Sequence, residues 1–274
     1  GTGSPSGVLT AGSIDITGDL TGGEMVLQGT MIAIVNGPTR ITYTSCNQLQ
    51  RGCIPPVLNI GGTSGLTISG SLVMTGAADV TVGSGTTVQL GQNFVNELTE
   101  AEPFHWENGP LTMNGAVPQT FEAAGLDLGP LDPAGYIDNF AMGMLRIEPG
   151  RAVSMVNTFD NQPPAGCESL YVDTLSLGAG STLTLNGCNV YYHSLVKESG
   201  ATVVLLGGAA LVGTDAGELD GDNDVDENDA SLMAEILLGG TCSPLCLSRA
   251  DVNGDGAINA KDIGYFVRVA TGWN

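Results

Sequence analysis

The chain runs to 274 residues, enough for one large domain and one small one, and carries 29 acidic against 8 basic residues, a net charge of −21. Nucleic acid and anionic membrane surfaces both need a basic face, so neither is expected as the main partner, while metal cations remain open. No apolar run approaches the length of a bilayer span, so no membrane crossing is expected.

The charge is unevenly spread. From Asp215 onward there are 12 acidic and 3 basic residues, against 17 and 5 in the preceding 214 positions. Those 214 positions are dominated by Thr, Ser, Gly, Val and Leu, a composition that favours strands and turns over helices. The chain opens at Gly1 and not at methionine, which fits removal of an upstream secretion signal.

In chain order, residues 1–16 read as an N-terminal arm. Gly1 to Gly7 is small and contains Pro5, and Val8 to Ile16 is strand-like. Such an arm suits strand addition to a neighbour's sheet edge, and hence self-association. Residues 17–214 then read as a β-rich body. Alternation of apolar and polar residues runs through Leu66 to Met74, and a longer pattern recurs: two apolar positions, a glycine, two more apolar positions. It appears as Val80, Val82, Gly85, Val88, Leu90, and again as Leu145, Ile147, Gly150, Val153, Met155. Leu175, Leu177, Gly180, Leu183, Leu185 is a third copy. The fourth, Leu195, Gly200, Val203, Leu205, places Lys197 at one apolar position.

Each copy reads as two short strands around a turn whose glycine takes positive φ without a Cβ clash. The fold class is therefore mainly β. A parallel β-helix-like solenoid suits the glycine spacing, and a β-sandwich of hairpins is the alternative. The body is similar in style to the Gly/Thr/Ser-rich β-helices of bacterial surface proteins.

Two stretches interrupt the pattern. Asn93 to Gly109, with Glu97, Glu100, Glu102, His105, Trp106 and Glu107, reads as an acidic loop that either anchors one aromatic or binds a metal or sugar. Leu126 to Gly143 reads as a second long loop. Six cysteines fall into local pairs, expected as Cys46–Cys53, Cys167–Cys188 and Cys242–Cys246. An even, locally paired set in a lysine-poor acidic chain points to an oxidising, extracellular location.

Residues 217–274 form the third unit. Two segments align at an offset of 33 residues: Glu218 to Asp229 and Asp251 to Asp262. In each, oxygen-bearing side chains fall at loop positions 1, 3, 5, 9 and 12, position 7 offers its carbonyl, and position 8 is apolar (Val225, Ile258). This is the donor set of a hard cation such as calcium. The first ligand set is Asp220, Asp222, Asp226 and Asp229 with the Asp224 carbonyl, and Glu218 as an extra ligand. The second is Asp251, Asn253, Asp255, Asn259 and Asp262 with the Ala257 carbonyl. Position 9 can act through water. Gly256 permits the sharp turn in the second loop, and Asn223 stands in its place in the first. Helices are expected over Ala230 to Leu238 and Ile263 to Ala270.

The duplicated loop with Asp at position 12, each loop followed by a helix, resembles a type I dockerin. The β body with a diverged dockerin looks like proteins of environmental bacteria such as planctomycetes. The resemblance implies two calcium ions, folding coupled to calcium, and docking through the helices onto a cohesin or a neighbouring surface protein. Recognition residues would sit at loop positions 10 and 11, here Glu227-Asn228 and Ala260-Lys261. These differ from the Ser/Thr pairs of cellulosomal dockerins.

No Ser-His-Asp arrangement, P-loop, HExxH motif or dinucleotide fingerprint occurs, so the chain is not expected to be an enzyme. The expected function is extracellular, structural and self-associating, as a surface or filament subunit. The alternatives are a carbohydrate-binding or adhesive protein with a polysaccharide partner, and a β-helix carbohydrate-active enzyme tethered by its dockerin.

Overall fold

A computed structural model describes residues 6–11, 14–18, 24–27, 30–35, 39–43, 57–130, 132–161, 168–213, 217, 219–220, 225–242, 244–252 and 257–271. The chain is mainly β, and every pair of neighbouring strands among the described residues is parallel. The longer sheet takes Ser6–Ala11, Thr30–Val35, Gly65–Ile68, Thr87–Leu90, Phe104–Met113, Met142–Ile147, Leu170–Leu177, Val190–Lys197 and Leu211–Gly213 in that order. A branch of Glu24–Leu27, Val57–Ile60 and Asp79–Val82 joins it at Phe104–Met113. The shorter sheet takes Ile14–Gly18, Thr39–Tyr43, Leu72–Gly76, Phe94–Leu98, Gln119–Glu122, Ala152–Val156, Thr182–Asn186 and Thr202–Leu206.

The two halves of each glycine-centred copy do not pair with one another. Leu175 and Leu177 lie in the longer sheet, and Leu183 and Leu185 in the shorter. In the last three copies each half pairs with the matching half of the next: Leu145 with Leu175 and then Leu195, Val153 with Leu183 and then Val203. The first copy differs, both its halves lying in the longer sheet, Val80 and Val82 on its branch and Val88 and Leu90 on Thr87–Leu90. The apolar residues of successive copies thus stack in rows facing one core, which holds Leu145, Leu175, Leu183 and Leu185 at full burial. The turns stack too, Gly150 donating its N–H to Ala179 O and Gly180 to Ser199 O. Gly150, Gly180 and Gly200 have positive φ, as the pattern requires. At Gly85 the reason is different: a Cβ would lie 2.5 Å from the Gly62 carbonyl oxygen, so close backbone approach demands the glycine.

The fourth copy is the last full layer, and its burial fails. Leu205 is 47% exposed and Leu206 49%, because among the described residues no further strand continues the shorter sheet beyond Thr202–Leu206. At the other end, part of the expected arm is built into the body of its own chain. Ser6–Ala11 pairs with Thr30–Val35, and Ile14–Gly18 with Thr39–Tyr43.

Asn93 to Gly109 is not a long loop. Phe94–Leu98 and most of Phe104–Met113 are strands within it. Phe94, Leu98, Phe104 and Trp106 turn inward while His105 and Glu107 remain accessible, so the acidic residues are the outward half of an alternating pattern. Trp106 is fully buried, so it cannot stack on a sugar. Burial, with a contribution from Glu122, holds the Glu97 carboxyl above its usual range.

Leu126 to Gly143 is a loop for most of its length, with one 3-10 turn at Pro133–Tyr136. Tyr171 pins it, accepting from Leu128 N at 2.8 Å and donating to Gly129 O at 2.9 Å. Tyr191 donates to Asp127 at 2.6 Å. Burial first, and then the Asp127 charge, pushes both phenols well above the ordinary value of 10. A raised phenol pKa favours the folded state while the unfolded tyrosines remain protonated. That contribution is fully present below pH 10 and is lost as pH rises above it. In an alkaline titration the phenolate absorbance of these two tyrosines is expected to appear together with loss of β structure. Phenolate formation in an intact fold would refute the pinning.

Of the three expected disulfides, Cys242–Cys246 is present, with the Cα atoms 5.8 Å apart. Cys188 is buried and disulfide-bonded. Cys167, Cys46 and Cys53 lie outside the described residues.

Candidate functional site

The acidic C-terminal segment carries three helices: α1 (Glu227–Leu237), α2 (Pro244–Ala250) and α3 (Ala260–Thr271). α1 and α3 follow the two loops where sequence placed them. α2 was not expected; it is short, begins with a proline, whose missing N–H costs nothing at a helix start, and carries Cys246. Leu219, Met233, Cys246, Ala250, Val252 and Phe266 form a separate small core, with Val225 and Ile258, the two position-8 residues, packed against it. Gly217 N donates to Arg249 O at 2.9 Å, which closes the start of the segment against α2.

A buried position-12 carboxylate anchors each loop. Asp229 and Asp262 are both fully buried in the first turn of their helices. Asp229 Oδ1 accepts from the N–H groups of Leu219 and Asp220, and its Oδ2 from Asp226 N at 2.8 Å. Asp262 Oδ2 accepts from Asn259 N at 2.7 Å. One carboxylate thus ties the start of its loop to the start of its helix. No lysine or arginine pairs with Asp229 among the described residues. A buried anion held only by N–H dipoles is costly, and a divalent cation at the loop centre would offset that cost.

The position-9 residues cap the helices. Asp226 Oδ1 accepts from Asn228 N at 2.6 Å, and Asn259 Oδ1 from Lys261 N at 3.0 Å. Asn259 Nδ2 also donates to the Ala257 carbonyl, the position-7 oxygen, at 2.8 Å. Asp220 is exposed and Asp251 half-buried. Glu218, Asp222, Asp224, Asn253 and Asp255 lie outside the described residues. Among the described residues no three His, Cys, Asp or Glu side chains converge on one point. The residues present fit calcium chemically: oxygen donors only, and a buried acidic anchor at each position 12. Bound there, the ion would neutralise the loop carboxylates, which otherwise repel one another.

The expected recognition residues Glu227, Asn228, Ala260 and Lys261 are all exposed. Ile263 and Val267, one turn apart on α3, are 44% and 51% exposed.

Residues 216–265 match the family model described as the type I dockerin domain. That match leaves residues 1–215 uncovered. No curated protein and no solved structure gives a match to the chain. The C-terminal segment is a type I dockerin module, a class that binds calcium, docks onto cohesin partners and occurs on extracellular and cell-surface proteins. Among the described residues no helix is long and apolar enough to cross a membrane.

Proposed function

We propose that this chain is a secreted structural subunit of a cell-exterior assembly, non-catalytic, joined to its neighbours through the calcium-stabilised C-terminal module. The dockerin match carries the reading. In this view the β body is a solenoid, each glycine-centred copy forming two sides of one coil, with the dockerin beginning near residue 217. The placement of the two halves of the last three copies in different sheets supports it, as does the pairing of each of those halves with its counterpart in the next copy.

The module holds two calcium ions, one per loop, through the two ligand sets named above. Its partner is a cohesin-like domain or the body of the next subunit. Self-association has physical support at the ends of the body. Thr202–Leu206 ends its sheet with Leu205 and Leu206 exposed, and Ile14–Gly18 ends the same sheet at the other side. Because the neighbouring strands among the described residues are all parallel, a second copy stacked head to tail would continue the sheet with its direction unchanged. Repetition of such a contact builds a filament.

Calorimetry on the full chain is expected to show two calcium-binding events, one per loop. Light scattering is expected to show concentration-dependent growth in calcium that reverses with chelator. A chain that binds no calcium at millimolar concentration loses the two-ion reading. One that binds calcium yet stays monomeric loses the filament reading and keeps a separate cohesin-like partner.

A further inference from the structure

At its C-terminal end the body stops in a layer that is only partly covered. In the longer sheet Leu211–Gly213 pairs with Val190–Tyr192 and does not reach Leu195, Val196 or Lys197. In the shorter sheet no strand lies beyond Thr202–Leu206 among the described residues. Val196, Val204, Leu205 and Leu206 are exposed there. At the opposite end Ser6–Ala11 and Ile14–Gly18 are the outermost strands of the same two sheets among the described residues.

Strand register connects the two ends. In the longer sheet one column of paired residues runs unbroken from Ala11 through Ile68, Met113 and Leu177 to Lys197, and the next runs from Thr10 to Val196. In the shorter sheet a column runs from Ile14 through Leu72, Phe121 and Met155. Ser154 pairs with Thr184, which puts Met155 beside Leu185, and Leu185 pairs with Leu205. Asp15 and Leu206 stand one residue further on each end strand. The corner between the two columns is short from Ile68 to Leu72 and long from Leu177 to Leu185, and layers of both kinds stack, so corner length does not bar the two ends from mating.

The backbone groups match as well. Thr202 N–H donates to Ser181 O and Leu206 O accepts from Gly187 N, so the alternate residues Val203 and Leu205 turn their N–H and C=O to the open side. Glu198 N–H donates to Leu177 O, and by the same alternation Lys197 and Leu195 face outward. Thr39 N–H donates to Ser71 O and Ile68 O accepts from Gly91 N. That turns the Ile14 and Ala11 columns toward the C-terminal end and leaves the backbone of Asp15 and Thr10 facing out of the opposite end. We propose that a second copy seats its first layer on this last layer in continuous register. Thr10 N–H donates to Leu195 O and Thr10 O accepts from Lys197 N, Asp15 N–H donates to Leu205 O, and Ile14 extends the apolar row of Leu185 and Leu205. The joint rests on the self-association reading above and gives it a register.

Lys197 regulates that joint. It takes a position that is apolar at Ile147 and Leu177, both fully buried. A charge at an inward position of an edge strand discourages pairing. Ala11, which would lie over it, is the smallest residue of the column and leaves the lysine stem room to carry its ammonium to water. Lys197 thus weakens the contact without forbidding it.

Leu206→Cys and Asp15→Cys, made in separate full-length chains, are mixed in calcium under mild oxidation. Paired residues on adjacent strands lie about 4.8 Å apart, within disulfide reach. The mixture is expected to give cross-linked dimers, and each variant alone none. Thr17→Cys in place of Asp15→Cys is two residues out of register and is expected to cross-link about tenfold less. Val196→Cys with Thr10→Cys tests the longer sheet in the same way, and replaces the first pair if either of its variants does not fold. Lys197→Leu is expected to bring growth in light scattering at about tenfold lower protein concentration. Equal cross-linking by Asp15→Cys and Thr17→Cys, dimers of Leu206→Cys alone, or no gain from Lys197→Leu overturns the joint, while growth in calcium still upholds self-association. A chain that stays monomeric in every variant overturns both.

Discussion

Replacing Trp106 with alanine is expected to lower the unfolding free energy of the β body by about 3–5 kcal/mol, the range for deleting a fully buried large aromatic. Trp106 is 0% exposed and joins aromatic rings from both sheets. It meets Phe94 edge-on at 5.8 Å and Phe104 at 5.8 Å. Phe94 in turn stacks on Phe121 of the next strand at 4.8 Å, and Phe104 lies 5.5 Å from Phe140 of the long loop. Alanine would leave a cavity that these rings, fixed on separate strands, cannot close together. Trp106→Phe should cost much less. It keeps most of the ring volume, and it removes an indole Nε1–H that is buried without a hydrogen-bond partner. Urea unfolding of the two variants checks both statements. Equal losses for Phe and Ala, or a loss below about 1 kcal/mol for Ala, would contradict the packing.

The strands of the body were legible wherever apolar residues alternate without interruption, because a period of two has one structural meaning when a core lies on one side. The same alternation runs through Phe94, Asn96 and Leu98 and through Phe104 and Trp106. The outward Glu97, His105 and Glu107 made that region look like a loop, since local charge density outweighed periodicity in the reading. Glycine was read for one reason and serves two: positive φ at Gly150 and close backbone approach at Gly85. The second depends on Gly62 in another layer, which no local window contains. The dockerin was legible because loop spacing, not tertiary context, carries its chemistry. α2 escaped notice because seven residues give too little helical periodicity to read.

Replacing Asp229 or Asp262 with alanine is expected to abolish calcium binding at the altered loop and to unfold the C-terminal module at calcium levels that hold the parent chain folded. Each carboxylate has two tasks. It bonds loop N–H groups, which in the case of Asp229 joins Leu219, Asp220 and Asp226 to the first turn of α1. In the proposed calcium form it would be the position-12 ligand, linking the ion to the helix. Asparagine separates the tasks. Asp229→Asn keeps an acceptor oxygen for the N–H groups of Leu219 and Asp220, gives up the one that accepts from Asp226 N, and removes the negative charge. It should leave the fold intact at high calcium and weaken the first site, by about tenfold or more for the loss of one charged ligand. The module's small core of Leu219, Met233, Ala250, Val252 and Phe266 draws on both loop-helix units, so loss of either site should release both helices in one transition. Circular dichroism during calcium titration follows the helices, and calorimetry counts the ions. An alanine variant that still folds with calcium and binds as many ions as the parent would remove Asp229 and Asp262 from the ligand sets.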